Sequence, residues 1–189
     1  MGKDEQGLKA SSERYTVVPR TLCFILSSGG DDVLLLKGAP TKRIWPNHYN
    51  GVGGHVEPGE DVYTAAVREM REETGLSVRD VRLRGVINIP VENRQGIMLF
   101  VFLARAESRQ FTPSVEGTLE WVPRGRVLSL DLVEDLPALI PRALDAPMDA
   151  PLFFALYTYD DKDQLTIQWS TPGTESPGVK GEIRCHGAR

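Results

Sequence analysis

Cysteine, histidine, aromatic residues and long apolar runs are all scarce in this chain, and each shortage removes a class of chemistry. The two cysteines, Cys23 and Cys185, stand far apart, one among apolar residues and one in a polar tail, in no metal-binding spacing. A structural disulfide or a thiolate zinc site therefore does not fit, and both read as plain thiols. No apolar run is long enough to cross a bilayer, and residues 1–14 are polar, without the apolar centre of a signal peptide. The expectation is a cytoplasmic protein with no membrane partner. Strong charge of either sign is also missing: the formal net charge is -4, which leaves no footprint for a nucleic acid polymer but does not bear on a single nucleotide in a local pocket. There is no internal repeat. With 189 residues and 41% hydrophobic content, the chain suits one domain with a real core.

What is present is concentrated in residues 54–76. Residues 61–73 lack proline and glycine and are rich in Ala, Val, Met, Glu and Arg, so they read as a helix. Glu60 and Asp61 suit its positive end, and Gly75 suits the left-handed position just past its last turn. Within it Glu69 precedes Glu72 and Glu73 by three and four positions, which puts like charges on one face at the negative end of the helix. Such a face asks for positive charge. Arg68 and Arg71 offer part of it, and a hard divalent cation with oxygen ligands, Mg2+ or Mn2+, is the other candidate. Gly51, Gly53, Gly54 and Gly59 crowd the preceding segment, which lets backbone approach a ligand closely.

These residues carry a resemblance. Gly54, Glu60, Arg68, Glu69, Met70, Glu72, Glu73, Gly75 and Leu76 meet every specified position of the Nudix box. The resemblance implies an α+β fold, a mixed β-sheet sandwiched between α-helices, and metal-assisted attack of water on a nucleoside diphosphate linked to another group. It extends from about residue 20 to residue 169, because 116–123 and 153–159 are similar to segments of the branch that hydrolyses oxidised purine nucleoside triphosphates such as 8-oxo-dGTP. By that resemblance Glu69, Glu72, Glu73, Glu116 and the Gly53 carbonyl hold Mg2+ or Mn2+, with Glu120 as the rival to Glu116. Glu72 or Glu73 takes the water proton, and Arg68 paired with Glu60 orients the carboxylates. Asn50 matches a residue that reads the purine edge, with Glu134 and Asp135 as acids beside the base. Related enzymes also place a tryptophan there, where this chain has Leu132 and Val133; Trp45, Tyr49 or Phe24 are the aromatic substitutes. His55, next to the box, and His48 are the histidines near the chemistry, with a structural or solvated role weighed against contact with phosphate.

In chain order, strands are expected over 16–27, 33–37, 81–89, 96–104, 118–122, 153–159 and 164–169, with the unbroken apolar run 97–103 as a central strand covered on both faces. A loop spans 38–50, a turn-like approach 124–130, and a proline-interrupted helical stretch 132–144. The domain is expected at 15–170, between a polar extension 1–14 and a flexible tail 171–189, as a monomer or homodimer. Three readings of function stay open: an oxidised-nucleotide pyrophosphohydrolase, a Nudix hydrolase for ADP-ribose or another nucleotide sugar, and a non-catalytic nucleotide-binding regulator.

Overall fold

A computed structural model describes residues 14–92, 94–147, 149–170 and 183–184. The chain runs β1 (Thr16–Leu26), β2 (Asp32–Gly38), β3 (Tyr49–Asn50), α1 (Val62–Thr74), β4 (Val78–Pro90), β5 (Gln95–Ala106) and β6 (Gly117–Pro123), then a 3-10 helix over Arg124–Ser129. There follow α2 (Leu136–Ile140), a π-helical turn over Pro141–Asp145, β7 (Phe153–Tyr159), β8 (Leu165–Ser170) and β9 (Ile183–Arg184). The strands form one mixed sheet in the order β3-β2-β1-β5-β4-β7-β8-β9, with β6 on β2. Pairings β1 to β5 and β4 to β7 are parallel and the others antiparallel. The expected tail lies outside the described residues apart from β9, and the expected extension lies outside them apart from Arg14. Among the described residues no helix is long and apolar enough to cross a membrane.

Two buried layers flank the sheet. On one face α1 buries Ala66 and Met70 against Cys23, Ile25, Leu34 and Phe102. On the other, Leu136, Leu139, Ile140, Ala143 and Leu144 of α2 and the π turn cover Phe24, Ile87, Val101 and Tyr157. The run 97–103 does become a central strand, between β1 and β4. It is fully buried only over Val101–Leu103, whereas Ile97, Met98, Leu99 and Phe100 are half-buried. The helices cover one end of the sheet more completely than the other.

The site is positioned by a divergence between β1 and β2. One edge of β2 is occupied along its length by β6, so β1 and β3 must share the other. β1 takes only Leu34 and Val33, and β3 takes Leu36 and Lys37. The chain after β3 then bridges back to β1, Val52 to Cys23 and His55 to Arg20. A glycine-rich segment is thus wedged between two strands. At its tightest point only a residue without a side chain fits: at Gly53, φ is 149° and an added Cβ would lie 2.2 Å from the Thr21 carbonyl oxygen.

Two expected elements change shape. β4 starts at Val78 and not at residue 81, because register shifts at Arg79/Arg82 and Leu83/Gly85 break the alternation that a strand shows in sequence. The stretch expected to be helical from residue 132 begins extended, since Leu132 and Val133 pair with the Tyr49 backbone, and turns helical only at Leu136. Its far end is held by Arg84 of β4. That buried guanidinium donates to the carbonyls of Ala143, Ala146 and Pro147 at 3.2, 3.0 and 3.2 Å, which satisfies a helix C-terminus that has no glycine cap.

β4 meets β7 through a glycine covered by a ring. Gly85 pairs with Phe153, and a Cβ built on Gly85 would come within 2.2 Å of the Phe153 ring. Gly85→Ala is expected to lower the urea unfolding free energy by roughly 1–3 kcal/mol, the range for overpacking a buried site. Adding Phe153→Leu should recover part of the loss. Equal midpoints for wild type and Gly85→Ala would show that the ring moves aside freely.

Candidate active site

α1 owes its start and stop to its caps. The Asp61 carboxylate accepts from the Tyr63 and Thr64 amides at 2.8 and 3.0 Å, and Gly75, at φ 70°, closes the helix by donating to the Arg71 carbonyl. Between these caps Arg68 gathers the acidic groups. Its Nε and Nη2 bind the two Glu60 oxygens at 3.1 and 2.6 Å, Nη1 reaches Glu69 at 2.8 Å and Glu72 at 3.1 Å, and Nη2 also donates to the His55 carbonyl at 3.0 Å. The expected Glu60–Arg68 pair is present and bidentate. Glu60, with this guanidinium beside it and the Glu57 amide donating to it, is held below the usual carboxylate range. Arg71, the other arginine on the helix, has no acid partner among the described residues.

The acids are not equivalent. Glu72 is 61% exposed, and Glu69 is 13% exposed, tucked against Gly54, where an added Cβ would lie 2.4 Å from its Oε1. Glu73 points into the wedge, accepting from the Gly53 amide at 3.4 Å. Burial, then the nearby negative charges of Glu116 and Glu69, push the Glu73 carboxyl up to about 7, opposed by the Gly53 hydrogen bond and by Lys42. Glu116 reaches this place from the loop before β6 and is bonded to Lys42 at 2.7 Å.

A cavity of about 430 Å³ opens beside this group, within the size range of small-molecule sites. Its walls include Gly53, Glu73, Glu116 and Lys42 as well as Asn50, Glu134 and Asp135, so residues far apart in the chain share one space. Asn50 is oriented by the backbone of the next residue: its Oδ1 accepts from the Gly51 amide at 2.8 Å, which leaves the NH2 group as the face for a ligand. Burial raises Glu134, against a hydrogen bond from Tyr159. Asp135 is pushed up to about 6, chiefly by burial and also by Glu134, against a hydrogen bond with Tyr157. Glu60, Arg68, Glu69 and Glu72 do not line this cavity.

Several assignments made from sequence shift here. Glu120 accepts from Tyr49 at 2.8 Å and does not line the cavity, whereas Glu116 does. Phe24 and Tyr49 are buried in the core and cannot stack on a ligand; of the three aromatic substitutes only Trp45 lines the cavity. The aromatic wall that sequence reading missed is Tyr157 and Tyr159 on β7. Their spacing of two, continuing Phe153 and Ala155 on one face of the strand, was the available signal. His48 lines the cavity, while the His55 side chain is exposed and this residue contributes through its carbonyl. Lys42 and Arg20 are the cavity's lysine and arginine, and no periodicity marks them. Cys23 is an inert thiol, its pKa pushed up to about 12 by burial.

For a hard cation the donors are chemically suitable: carboxylates and one carbonyl, with more negative than positive charge at the Gly53 end. Among the described residues, however, no three His, Cys, Asp or Glu side chains converge in a ready-made cluster. Glu69 and Glu72 are turned to Arg68 and Glu116 to Lys42. The sequence placed the carboxylates on one helix face; the structure shows that cations of the chain itself divide them.

Comparison with known proteins agrees with this geometry. Residues 17–143 match the NUDIX domain. The uncharacterized Nudix hydrolase YvcI of Bacillus subtilis (strain 168) is 34% identical over 96 residues, 48% of this chain and 58% of that protein. The NAD-capped RNA hydrolase NudC of Pseudomonas aeruginosa (strain LESB58) is 32% identical over 115 residues, 61% of this chain and 38% of that protein. The chain thus spans less than two thirds of the length of either relative. Among solved structures, the mutator MutT protein from Bacillus halodurans superposes with a TM-score of 0.65 at 25% identity, covering 81% of this chain and 97% of that one.

Asp135 generates a prediction about stability. A carboxyl with a folded pKa of about 6 and an ordinary value of 3.8 stabilises the fold only while protonated. That contribution is complete below the ordinary value and is lost as pH rises through the folded one. Asp135→Asn, neutral at every pH, is therefore expected to be more stable than wild type at pH 8, by on the order of 2–3 kcal/mol, and equal to it at pH 3.5. Urea midpoints at the two pH values check this, and a difference independent of pH would contradict it.

Proposed function

Because the chain belongs to the Nudix family, we propose that it is a pyrophosphohydrolase of purine nucleoside triphosphates altered at the base, converting 8-oxo-dGTP to 8-oxo-dGMP and pyrophosphate. The observation that carries this reading is the shared cavity, in which Asn50, Glu134 and Asp135 line the same space as Glu73, Glu116 and Gly53. An amide that offers NH2 donors, beside a carboxyl that exchanges a proton near pH 6, suits a purine edge on which oxidation has moved a donor and an acceptor. Tyr157 and Tyr159, with Leu99, Ile89 and Val133, supply aromatic and apolar wall for the base in place of the tryptophan of related enzymes. A polar edge site of this kind discriminates strongly, because the wrong base leaves buried hydrogen-bonding groups unpaired.

For the phosphorus chemistry, Glu69, Glu72, Glu73, Glu116 and the Gly53 carbonyl are the residues that would hold Mg2+ or Mn2+. The ion would supply neutralisation of the diphosphate and activation of the attacking water. Of the two acids considered as base, Glu73 is better supported: it lines the cavity, half-buried beside Gly53, while Glu72 is exposed and occupied by Arg68. Arg68 positions Glu69 and Glu72 by holding them to Glu60 and to the His55 carbonyl. The Gly53 amide, donating to Glu73, fixes the direction in which that carboxylate faces the substrate.

Two expected outcomes test the reading. With Mg2+, kcat/KM on 8-oxo-dGTP should exceed that on dGTP at least ~10-fold, the discrimination that one or two unpaired buried groups produce, and the product should be pyrophosphate and not two successive phosphates. Chromatography of a panel that also includes ADP-ribose, NAD-capped RNA and a cap dinucleotide decides it. A nucleotide sugar or capped RNA as best substrate would overturn the base assignment, and no turnover on any member would make the chain a nucleotide-binding module. Separately, Glu73→Gln should reduce kcat by about 10²–10⁴, the usual worth of a positioned base, with an unchanged circular dichroism spectrum. A reduction confined to Glu72→Gln would transfer the role to that residue.

A further inference from the structure

Lys42 stands on the loop between β2 and β3, and the sequence assigned this residue no chemistry. Its ammonium lies 2.7 Å from Glu116, and both side chains line the cavity with Glu73. The loop brings it there by its own short hydrogen bonds: the Lys42 amide donates to the Ala39 carbonyl, the Ala39 amide to the Glu116 carbonyl, and the Asn47 amide to the Gly38 carbonyl. Backbone thus ties the Lys42 loop to the Glu116 loop, and the side-chain ion pair joins the same two segments a second time. The next residue, Arg43, makes no such bond and does not line the cavity.

The count of charge explains what this pair does. At the Gly53 end the cavity presents Glu73 and Glu116, with Glu69 close behind Gly54, and Arg68 is already committed to Glu60, Glu69 and Glu72. Lys42 is the cation directly bonded to Glu116. A cation of the chain and a divalent ion cannot both hold that carboxylate in the same way. An ammonium released from it would remain in the cavity, at the end where the phosphates lie in the reading above.

We propose that Lys42 is an exchangeable counter-cation: it holds Glu116 until a divalent ion claims the carboxylate, and then passes its ammonium to a phosphate of the nucleotide. The inference rests on Glu116 being an ion ligand, as proposed above. It makes ion loading and phosphate binding two sides of one exchange, so removing the ammonium should strengthen the first and weaken the second. An ion pair with both partners about a third to a half exposed changes an equilibrium constant by a few-fold at most.

Calorimetric Mn2+ titration of the full chain, without nucleotide, gives a readout that does not depend on turnover. Lys42→Met is expected to bind Mn2+ about two- to fivefold more tightly than wild type, the worth of one exposed ion pair, and to show a KM for its triphosphate raised at least ~10-fold with a smaller change in kcat. Arg43→Met, which removes a charge from the same loop without removing the bond, should leave both near wild type. Lys42→Arg should restore much of the KM. Wild type that binds Mn2+ together with Lys42→Met that binds it no more tightly would overturn the proposal alone. Equal tightening in Arg43→Met would overturn it in favour of general electrostatics, and an unchanged KM in Lys42→Met would overturn the transfer to phosphate. Wild type that binds no Mn2+ at all would sink the reading of the acidic residues and this inference with it.

Discussion

Like charge held together at close range is the constraint on which the site depends, and Arg68 is what makes it tolerable. Glu60, Glu69 and Glu72 repel one another on and beside one helix, and an arginine with donors in a fixed plane bonds to all three while also gripping the His55 carbonyl. A lysine at this place would neutralise one acid and fix none in direction. The guanidinium therefore does two things together: it keeps α1 from being destabilised by its own acids, and it pins the glycine-rich segment to the helix. Glu73 escapes this arrangement. It faces the wedge between β1 and β2, where burial and its acidic neighbours leave it with far less compensation than the others.

The sheet gives that local balance its surroundings. Because β6 occupies one whole edge of β2, the glycine-rich segment can enter only between β2 and β1, and it arrives with its backbone against β1. The helix then lies across the opposite side of the same strands, so Glu69 and Glu73 approach Gly54 and Gly53 from behind. On the far side, β7 and the segment before α2 bring Tyr157, Tyr159, Glu134 and Asp135 to the same opening. One side of the opening is thus built on a helix and its preceding loop, and the rest on strands and loops from elsewhere in the chain.

That division also explains what was legible in the sequence. The helix and its caps follow from local spacing, which is what a sequence displays directly, and the Glu60–Arg68 pair was implied by the resemblance of the same segment to the Nudix box. β1, β5, β7 and β8 were likewise visible, because each keeps an uninterrupted apolar or alternating pattern. β4 was cut short in the reading because its two register shifts disturb the alternation, and Asp80 there takes a left-handed backbone, φ 53°. Arg84 gave no hint of its place: an arginine inside a strand suggests an outward face, yet three helix-end carbonyls draw it inward. Lys42 could not be found from pattern, since a loop has none, and His48 was noticed only for its nearness to the glycine-rich segment. Tyr157 could have been, had the strand's face been followed two residues past Ala155. The division of the acids between Arg68 and Lys42 depends on distances across the fold, which no spacing along the chain records.

The close approach of Gly53 to the Thr21 carbonyl has a consequence for how such a protein changes over generations. The contact is made by main chain on both sides, so it carries no side-chain identity that neighbouring substitutions could erode, and it admits neither a longer residue nor an inserted one. Inheritance is therefore strict at the wedge and lenient around it. Around it the opening is lined by Lys42 and Trp45 from one loop and by Val133, Glu134 and Asp135 before α2, positions where exchange of a side chain leaves the Gly53–Thr21 contact unaltered. A lineage starting from this chain can change the lining of the opening by exchanging a few of those side chains, while the wedge is passed on untouched.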